Sequence, residues 1–345
     1  ELVQKSLAES DLVVDALLGT GLSQPVREEY SKAIDVMNEC DLPIVAVDVP
    51  SGVDAGTGAV LGNAIVADMT VTMGLPKIGC LFYPGKGCAG ELVVGDIGIP
   101  GEVIEEQKLS VEAIDVEAAL EDFPMREPTA HKFACGSLLV VAGSRRYAGA
   151  AQLTALSALR TGCGVVYCAG PESIRTVMQG AAPEVIFVSL PETDGGSISF
   201  RAAEKIFGDL RFDAIAVGPG LTTDEETAKV VRYILERSPK PLLIDADGLN
   251  ALEGRLADVV KASRAKEIVI TPHSGELRRL AGESAPEAPL PRIEWLRELV
   301  RDTGVTVVHK GAPTVVVHPD GSAGVSVHGH PGQATAGSGD VLSGA

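Results

Sequence analysis

The turn Gly337-Ser338-Gly339 is followed directly by Asp340 and by an apolar run that is typical of a helix start. Backbone N–H groups at a helix N-terminus, free of bulky side chains, suit phosphate oxygens. An Asp beside such a site can take a proton from a substrate hydroxyl while the phosphate is held. This stretch therefore predicts either an anion hole with a catalytic base, or a Gly-rich turn whose Asp only begins a helix.

Other polar residues follow buried strands in the same part of the chain. Lys310-Gly311 comes after a Val-rich strand and could meet a nucleotide phosphate through charge and backbone N–H groups. His273, beside Glu276, could donate a hydrogen bond to a substrate or cap the next helix. Asp245 and Asp247 could hold magnesium through water or close a turn, and we favour the turn. Loops at the carboxyl ends of parallel strands meet at one edge of a sheet, so these groups are expected to converge.

Two acids near the beginning of the chain also end buried strands. Asp15 and Asp48 each precede small residues that expose the backbone, and Ser51 follows Asp48 closely. Two carboxylates, a hydroxyl and backbone carbonyls would suit a hard cation, or Asp48 and Ser51 could simply cap a turn. Lys77, after a third strand, is either a buried partner of a carboxylate or a solvated loop cation. The loop after the first strand does not complete the GxGxxG fingerprint of dinucleotide binding.

The composition excludes several classes of protein. The net charge of −18 argues against nucleic acid and anionic membranes as partners, since both need clustered cations. The six cysteines lack the spacing of zinc ligands, which indicates the reduced thiols of a cytoplasmic protein. No run of ~18 apolar residues occurs, so no membrane span is expected. No GxxxxGK(S/T) occurs either, which excludes a P-loop mechanism.

The alternation of buried strands, polar loops and amphipathic helices predicts an α/β protein built on parallel sheets. Its 345 residues are enough for two hydrophobic cores. Residues 106–128 are rich in acids and Pro, which indicates a linker with one short helix at Val116–Glu121. We therefore predict a first domain at residues 1–105 and a second at residues 129–345. Because the chain begins without Met in an apparent helix and stops five residues after Asp340, we expect a fragment cut at both ends.

Four stretches of the first domain resemble the C-terminal half of the NAD(P)H-hydrate epimerase domain, in the family's order: VDALLGTGLSQPV, VDVPSGVDAGTG, TVTMGLPKIG and GELVVGDIGIP. The resemblance implies part of a Rossmann-like domain in which Asp15 and Ser51 bind potassium. Asp48 and Lys77 would be its chemical groups. Asp48 would also contact the hydrated nicotinamide nucleotide, together with a loop made of Gly19, Thr20, Gly21, Leu22, Ser23, Gln24 and Pro25.

The second domain resembles the ADP/ATP-dependent NAD(P)H-hydrate dehydratases, which belong to the ribokinase-like superfamily. The resemblance runs from His131 to Ala345 in GSLLVVAGSRRYAGAA, VGPGL, IDADGLNAL, TPHSGEL, HKGAPTVV and GQATAGSGDVLSG. It implies a ribokinase-like α/β domain, with His330 where family members usually carry Asn before Pro-Gly. The hydrate would contact Ala150, Gly220, His273 and Asp340. The adenine nucleotide would contact Lys310, Gly311, Ala312, Pro313, Thr314 and Gly339.

The two resemblances together imply a bifunctional enzyme that repairs hydrated NADH and NADPH. ADP and Mg²⁺ would serve the dehydration of (S)-NAD(P)HX to NAD(P)H, with release of AMP and phosphate. The first domain, with K⁺, would interconvert the (R) and (S) epimers. Its partners would be NADHX, NADPHX and an adenine nucleotide, in a cytoplasmic homo-oligomer. The alternative is a ribokinase-like small-molecule kinase of the hydroxyethylthiazole type, preceded by a non-catalytic binding module.

Overall fold

The structure is a computed structural model that describes residues 2–121, 123–208 and 210–345. Glu1, where the predicted first domain begins, and Asp122, in the predicted linker, lie outside the described residues. The chain divides into two compact units. Unit 1 is Glu1–Asp115, Pro286–Trp295 and Ala323–His328, and unit 2 is Val116–Ala285, Leu296–Ser322 and Gly329–Ala345. The predicted domain bounds stay predictions.

The α-helices among the described residues are α1 Leu2–Leu7, α2 Glu28–Asn38, α3 Gly85–Ala89, α4 Gly101–Glu106, α5 Val116–Glu121, α6 Ala148–Thr161, α7 Arg175–Ala181, α8 Ala203–Ile206, α9 Glu225–Arg237, α10 Asp247–Asn250, α11 Leu256–Ser263, α12 Ser274–Ala281, α13 Pro289–Val300 and α14 Ser338–Gly344. The strands are β1 Val13–Asp15, β2 Ile44–Val47, β3 Met69–Met73, β4 Glu91–Gly95, β5 Val111–Ile114, β6 Ser137–Val141, β7 Val165–Pro171, β8 Ile186–Leu190, β9 Ala214–Val217, β10 Leu242–Ile244, β11 Ile268–Ile270, β12 Val305–His309, β13 Val315–Val317 and β14 Ala323–Ser326. Short 3₁₀ turns lie at Ile78–Cys80, Glu172–Ile174, Phe200–Ala202 and Pro331–Gln333.

Unit 1 contains a sheet of parallel strands in the order β1-β2-β3-β4. Apolar residues of β1, β2 and α2 alternate or recur at helical spacing, and Val13, Ile44 and Ile34 pack together in its buried core. The unit also holds a parallel pair, β5 with β14. β5 lies inside the predicted linker, where a four-residue strand among acids gave no periodic signal.

Unit 2 contains strands in the order β13-β12-β11-β10-β9-β6-β7-β8. All of them are parallel to their neighbours except β13, which is antiparallel to β12. The central strands are continuous apolar runs because helices cover both faces of a parallel sheet. This arrangement confirms the predicted α/β class, with the antiparallel edge strand as a departure from a wholly parallel sheet.

The strand order of unit 2 reverses between β6 and β9, since β7 and β8 extend to one side and β9 to β11 to the other. The loops that follow β6 and β9 touch, because the N–H of Gly143 donates to the carbonyl oxygen of Pro219 at 2.8 Å. In open α/β sheets the crevice outside such a reversal point is where ligands bind. This crevice is therefore the expected position of a ligand-binding site in unit 2.

The cysteines of the chain form no disulfides. All six cysteines are free, and burial raises the pKa of Cys168 to about 12. Burial also raises the pKa of Cys80 to about 11, helped by the charge of Asp48. The thiols of Cys80 and Cys168 are therefore protonated and unreactive at neutral pH. Within the described ranges, no helix combines the length and apolarity needed to cross a membrane.

Candidate functional site

A cavity of about 390 Å³ opens at the reversal point of unit 2. Tyr147 and Ala150 line it from the segment after β6, Gly220 from the segment after β9, and Asp340 from α14. A Cβ placed on Gly220, whose φ is +65°, would lie 2.8 Å from the Cβ of Ala150, so the close approach requires glycine. The structure thus brings together three of the four residues predicted to contact the hydrate. Their binding role stays a prediction.

The Gly-rich turn before Asp340 leads directly into α14. Gly337 has φ +93° and precedes the helix, which begins at Ser338. The sequence pattern indicated that Asp340 opens the helix. In the structure Asp340 instead lies within its first turn. The Ser338 hydroxyl donates to the carbonyl oxygen of Thr335 at 3.0 Å, which fixes the turn. A helix of seven residues is not stable alone, so neighbouring elements must hold it.

Helix α6 supplies that support. The Thr154 hydroxyl donates to the carbonyl oxygen of Asp340 at 3.0 Å, and the Ser157 hydroxyl donates to that of Val341 at 2.6 Å. A Cβ on Gly344 would lie 2.1 Å from the carbonyl oxygen of Thr154, so only glycine allows this approach. The small residues of the Asp340 segment therefore serve helix packing as well as any anion hole.

A buried carboxylate connects α14 to the segment predicted to bind the nucleotide. Asp245, only 1% exposed, directly follows β10. Its Oδ1 lies 2.6 Å from the Nζ of Lys310, and its Oδ2 accepts from the Ser343 hydroxyl at 2.6 Å. A Cβ on Gly339 would lie 3.7 Å from the same Nζ. Lys310 and Gly339, two predicted ADP contacts, are thereby brought together.

The surroundings of Asp340 favour its use as a base. Burial, and then the charges of Asp245 and Asp247, raise the pKa of this carboxyl above its ordinary value, while Lys310 opposes them. A half-buried carboxylate with a raised pKa holds a transferred proton more firmly than an exposed one does. The position of Asp340 in the cavity and its raised pKa therefore both favour a role as a base.

His273 caps the N-terminus of α12, which is one of the two roles that the sequence allowed. Its Nδ1 accepts from the N–H of Gly275 at 2.9 Å and from that of Glu276 at 3.3 Å, at the start of α12. The buried Glu276 carboxylate in turn accepts from the His273 N–H at 2.9 Å and lies 3.7 Å from the Nζ of Lys310. Contact of His273 with a substrate stays a prediction, but its backbone forms a parallel bridge with Lys310, the first residue of the predicted nucleotide segment Lys310 to Thr314.

The rest of the nucleotide segment has simple geometry. The Thr314 hydroxyl donates to the carbonyl oxygen of Gly311 at 3.3 Å, which closes the turn around Ala312 and the buried Pro313. Further along, the Nδ1 of His330 accepts from the N–H of Gly332 at 3.0 Å. An Asn oxygen caps a turn in the same way, so the His does the work of the usual residue.

The turn role that we favoured for the two aspartates after β10 describes Asp247 in part, through its bond with Asn250, but it does not describe Asp245, whose side chain bonds distant residues. Both oxygens of Asp245 already accept from protein donors. Asp247 accepts from the N–H of Thr222 at 2.8 Å and from the side-chain amide of Asn250 at 3.1 Å. Among the residues that the structure describes, no group of three or more His, Cys, Asp or Glu could hold a metal.

In unit 1, the structure brings together Asp15 and Ser51, the two residues predicted to bind potassium. Both are fully buried, and the Ser51 hydroxyl donates to the Oδ1 of Asp15 at 2.6 Å while its N–H donates to the Oδ2 at 2.7 Å. The hydroxyl also lies 3.2 Å from the carbonyl oxygen of Leu18. A carboxylate, a hydroxyl and a carbonyl are the oxygen donors that a hard cation prefers, so these residues fit a potassium ion chemically.

Asp48 and Lys77 form a half-buried ion pair, with the Lys77 Nζ 2.6 Å from the Oδ1 of Asp48. Asp48 has φ +70°, an unusual conformation for a residue with a side chain. Burial acts to raise the pKa of Asp48, but hydrogen bonds from Lys77 and from the Met73 N–H, with the charge of Lys77, hold it below the ordinary value. Lys77 is therefore the carboxylate partner and not the solvated cation.

The predicted hydrate loop of unit 1, Gly19 to Pro25, is mostly exposed. It begins beside the Asp15 pair, because the N–H of Leu18 donates to the Ser51 hydroxyl at 2.8 Å. The N–H of Leu22 closes a turn on the carbonyl oxygen of Gly19 at 3.2 Å. The loop thus lies where a ligand at the carboxyl ends of β1 and β2 could reach it.

Sequence reasoning missed the residues that hold the site together. Ser343, Thr154 and Ser157 act through hydrogen bonds to residues far away in the chain. A hydroxyl on the packed face of a helix is the only local signal, and it is shared by many ordinary helices. The carboxylate role of Asp245 toward Lys310 joins residues 65 positions apart, which no local pattern reveals.

Comparisons with known proteins match both ends of the chain to families. The family model described as NAD(P)H-hydrate dehydratase matches residues 138–345, and the one described as YjeF-related protein N-terminus matches residues 1–79. The chain is 43% identical to the bifunctional NAD(P)H-hydrate repair enzyme Nnr of Thermofilum pendens over 100% of this chain and 65% of that protein. The chain therefore spans about 65% of the length of this relative.

Solved structures resemble about two thirds of the chain. The ADP/ATP-dependent NAD(P)H-hydrate dehydratase of Bacillus subtilis, co-crystallized with ATP and Mg²⁺, is 29% identical with a TM-score of 0.57, covering 68% of this chain and 79% of that one. A ribokinase-like superfamily protein of Enterococcus faecalis, 21% identical with a TM-score of 0.56 over 68% of this chain and 78% of its own, shares the fold. The ribokinase-like class is thereby confirmed. The chain belongs to the NAD(P)H-hydrate dehydratase family, whose model matches residues 138–345, and a YjeF-related region at residues 1–79 precedes that segment.

Proposed function

We propose that this protein repairs hydrated nicotinamide nucleotides. Unit 2 dehydrates (S)-NAD(P)HX with ADP, releasing NAD(P)H, AMP and phosphate, and unit 1 interconverts the (R) and (S) epimers. The observation that carries the proposal is the placement of Asp340 in the wall of the cavity. Gly339 precedes Asp340 in α14, and the Nζ of Lys310 lies close to Gly339 and is tied to α14 through Asp245.

The chemistry follows from these positions. Asp340 takes the proton of the hydroxyl on C6 of the hydrate, and that oxygen forms a bond to the terminal phosphorus of ADP as the bond to AMP breaks. N–H groups around Gly337, Ser338 and Gly339, with the ammonium of Lys310, stabilise the charge on the phosphoryl oxygens. Phosphate then leaves C6 with the bonding electrons, and loss of a proton from C5 restores the dihydropyridine ring.

Mg²⁺ belongs to the proposal as a companion of the nucleotide phosphates, which usually supply much of its coordination. The relative that was co-crystallized with ATP and Mg²⁺ supports this assignment. Asp15, Ser51 and the carbonyl of Leu18 would hold K⁺ in unit 1, where it would offset substrate charge. The contacts of the hydrate with Ala150, Gly220 and His273, and those of ADP with Lys310 to Thr314, are part of the same proposal.

Epimerisation is assigned to Asp48 and Lys77. Their ion pair offers a carboxylate and an ammonium at one place, which suits the removal and return of a proton. The exposed Gly19 to Pro25 loop would contact the nucleotide. The proposal keeps the predicted domains, residues 1–105 and 129–345, joined by residues 106–128. It also keeps a cytoplasmic homo-oligomer, whose free thiols suit a reducing compartment.

The test is to incubate full-length protein with NADHX and ADP or ATP and to follow recovery of the NADH absorbance. Recovery of the (S) portion supports the dehydratase, and recovery of both epimers, beyond spontaneous epimerisation, supports both activities. A stable phosphate ester as the product, with no NADH, would replace the proposal by the small-molecule kinase. AMP should accumulate in step with NADH when ADP is the donor.

A further inference from the structure

A second cavity of unit 2, of about 500 Å³, adjoins the one that holds Asp340. Thr223 lines both cavities, and the guanidinium-bearing residues Arg232, Arg255 and Arg279 line the second. We propose that this arginine-lined cavity binds the phosphate groups of the hydrated dinucleotide whose nicotinamide end reacts at Asp340. The inference rests on the proposed function and assigns a place to the part of the substrate that does not react.

Arg279 is the best placed of the three. Its Nε donates to the side-chain oxygen of Asn250 at 3.0 Å, which fixes the plane of the guanidinium. Among the described residues, its two terminal nitrogens have no ion pair, and they remain available as a fork. A guanidinium fork matches two oxygens of a phosphate, which an ammonium cannot do.

The other two arginines are held by acids at the edge of the cavity. Arg232 pairs with Glu225 at 2.8 Å and donates to the carbonyl oxygen of Ala251 at 3.3 Å. Arg255 pairs with Asp258 at 3.0 Å, and both side chains of that pair are about half exposed. An exposed pair such as that of Arg255 contributes little to stability, so this cation can turn toward a phosphate at low cost.

A chain of hydrogen bonds joins this cavity to the reacting end. Asn250, which holds Arg279, donates to Asp247 at 3.1 Å, and Asp247 lines the cavity of Asp340. In the other direction, a Cβ on Gly275 would lie 3.8 Å from a terminal nitrogen of Arg279 and next to the ring of His273. Arg279 thus lies beside residues assigned to the hydrate. A molecule with its nicotinamide at Asp340 can extend past Thr223 to reach it.

The charge of the protein explains why an anionic substrate needs an arginine-lined cavity. The chain carries a net charge of −18, and the reacting cavity is lined by the two acids Asp247 and Asp340 as well as by Arg146. A substrate with a negatively charged diphosphate, and a further 2′-phosphate in NADPHX, is repelled by such surroundings. Locally clustered cations offset that repulsion and orient the anion.

The decisive experiment uses Arg279→Gln in the full-length protein, with KM measured for NADHX, NADPHX and ADP. We expect the KM of the hydrate to rise roughly ten- to a hundredfold, with kcat and the KM of ADP little changed. A rise for both hydrates places the diphosphate in the cavity, and a rise for NADPHX alone places the 2′-phosphate there. Unchanged KM values for both hydrates, or a rise for ADP alone, would overturn the inference.

Matched controls separate this role from a structural one. Arg278→Gln changes an exposed neighbour on the same helix that does not line the cavity, and it should leave all three KM values unchanged. Should Arg279→Gln not fold, Arg255→Gln keeps the test open, because it removes an exposed cation of the same cavity. Calorimetric titration with NAD⁺ and NADP⁺, which carry the same phosphates, needs no turnover. If Arg279→Gln weakens the binding of NAD⁺ or NADP⁺, the phosphate site is supported even if the protein does not repair hydrates. If the protein repairs hydrates and Arg279→Gln has no effect, the phosphate site is overturned and the proposed function is not.

Discussion

The Nζ of Lys310 lies 2.6 Å from the Oδ1 of Asp245, and the other oxygen of that carboxylate accepts from Ser343 on the helix of Asp340. One buried acid therefore fixes both the cation assigned to the nucleotide and the helix assigned to proton transfer. Because the acid is almost without exposure, both of its oxygens must be satisfied within the protein. The proposed nucleotide contact and the proposed base are thus positioned by the same side chain.

Asp340→Asn is expected to lower nucleotide-dependent dehydration about 10²- to 10⁴-fold, because the amide cannot take the hydroxyl proton. Since the raised pKa means that ionised Asp340 destabilises the fold at neutral pH, the variant should have an equal or higher melting temperature. Calorimetry and the NADH assay check both. Asp302→Asn is the matched control, at an exposed position with φ +57° that Asn tolerates. Turnover like that of wild type in Asp340→Asn would remove Asp340 from the mechanism.

Asp245→Asn should shift the acidic limb of the pH–rate profile to lower pH. The negative charge of Asp245 helps to raise the pKa of Asp340, so its removal lets Asp340 ionise at lower pH. The KM of ADP should also rise roughly tenfold, because Lys310 loses the partner that positions it. An unchanged acidic limb together with an unchanged KM would show that the buried acid only supports the fold.

The sequence predicted that the candidate site residues converge, but not which contacts hold them there. The convergence of Lys310 and Gly339 follows from one rule, that parallel strands end at one edge of a sheet. The hydroxyl contacts of Thr154 and Ser157 with α14 do not, because they depend on how closely two helices pack. β5 was likewise missed, since its pairing with β14 joins distant segments.

Gly344→Ala tests the packing of α14. The new methyl would lie 2.1 Å from the carbonyl oxygen of Thr154, so the helix must move away from α6. We expect a loss of about 1–3 kcal/mol in the free energy of unfolding, as for other overpacked sites, together with reduced dehydration. Gly180→Ala is the control, because nothing lies within 4 Å of its added methyl. Equal stability of the two variants in urea unfolding would contradict the close approach.

Lys77→Gln should reduce epimerisation about 10²-fold or more while leaving dehydration of the (S) epimer unchanged. The lowered pKa of Asp48 means that its ion pair stabilises the fold above the pKa of the unfolded chain. The difference in melting temperature between wild type and variant should therefore persist at neutral pH. It should vanish only as the pH falls below the ordinary Asp value of about 3.9.

The control for that experiment is Lys32→Gln, which breaks an exposed pair with Glu28. Such a pair contributes about 0–1 kcal/mol, so little change in stability is expected at any pH. Epimerisation is followed by NMR of the hydrate or by its recovery through dehydration. Full epimerisation by Lys77→Gln would leave the ion pair with a structural role only.

The dependence of α14 on the hydroxyls of Thr154 and Ser157 has a consequence for how the molecule opens. A helix that borrows its stability from a neighbour cannot persist once the neighbour frays. The amides of α14 and those at the facing end of α6 should therefore exchange with solvent hydrogen together, as one cooperative unit. Mild heating or low denaturant that releases this unit would abolish dehydration while the central strands of the sheet stay protected.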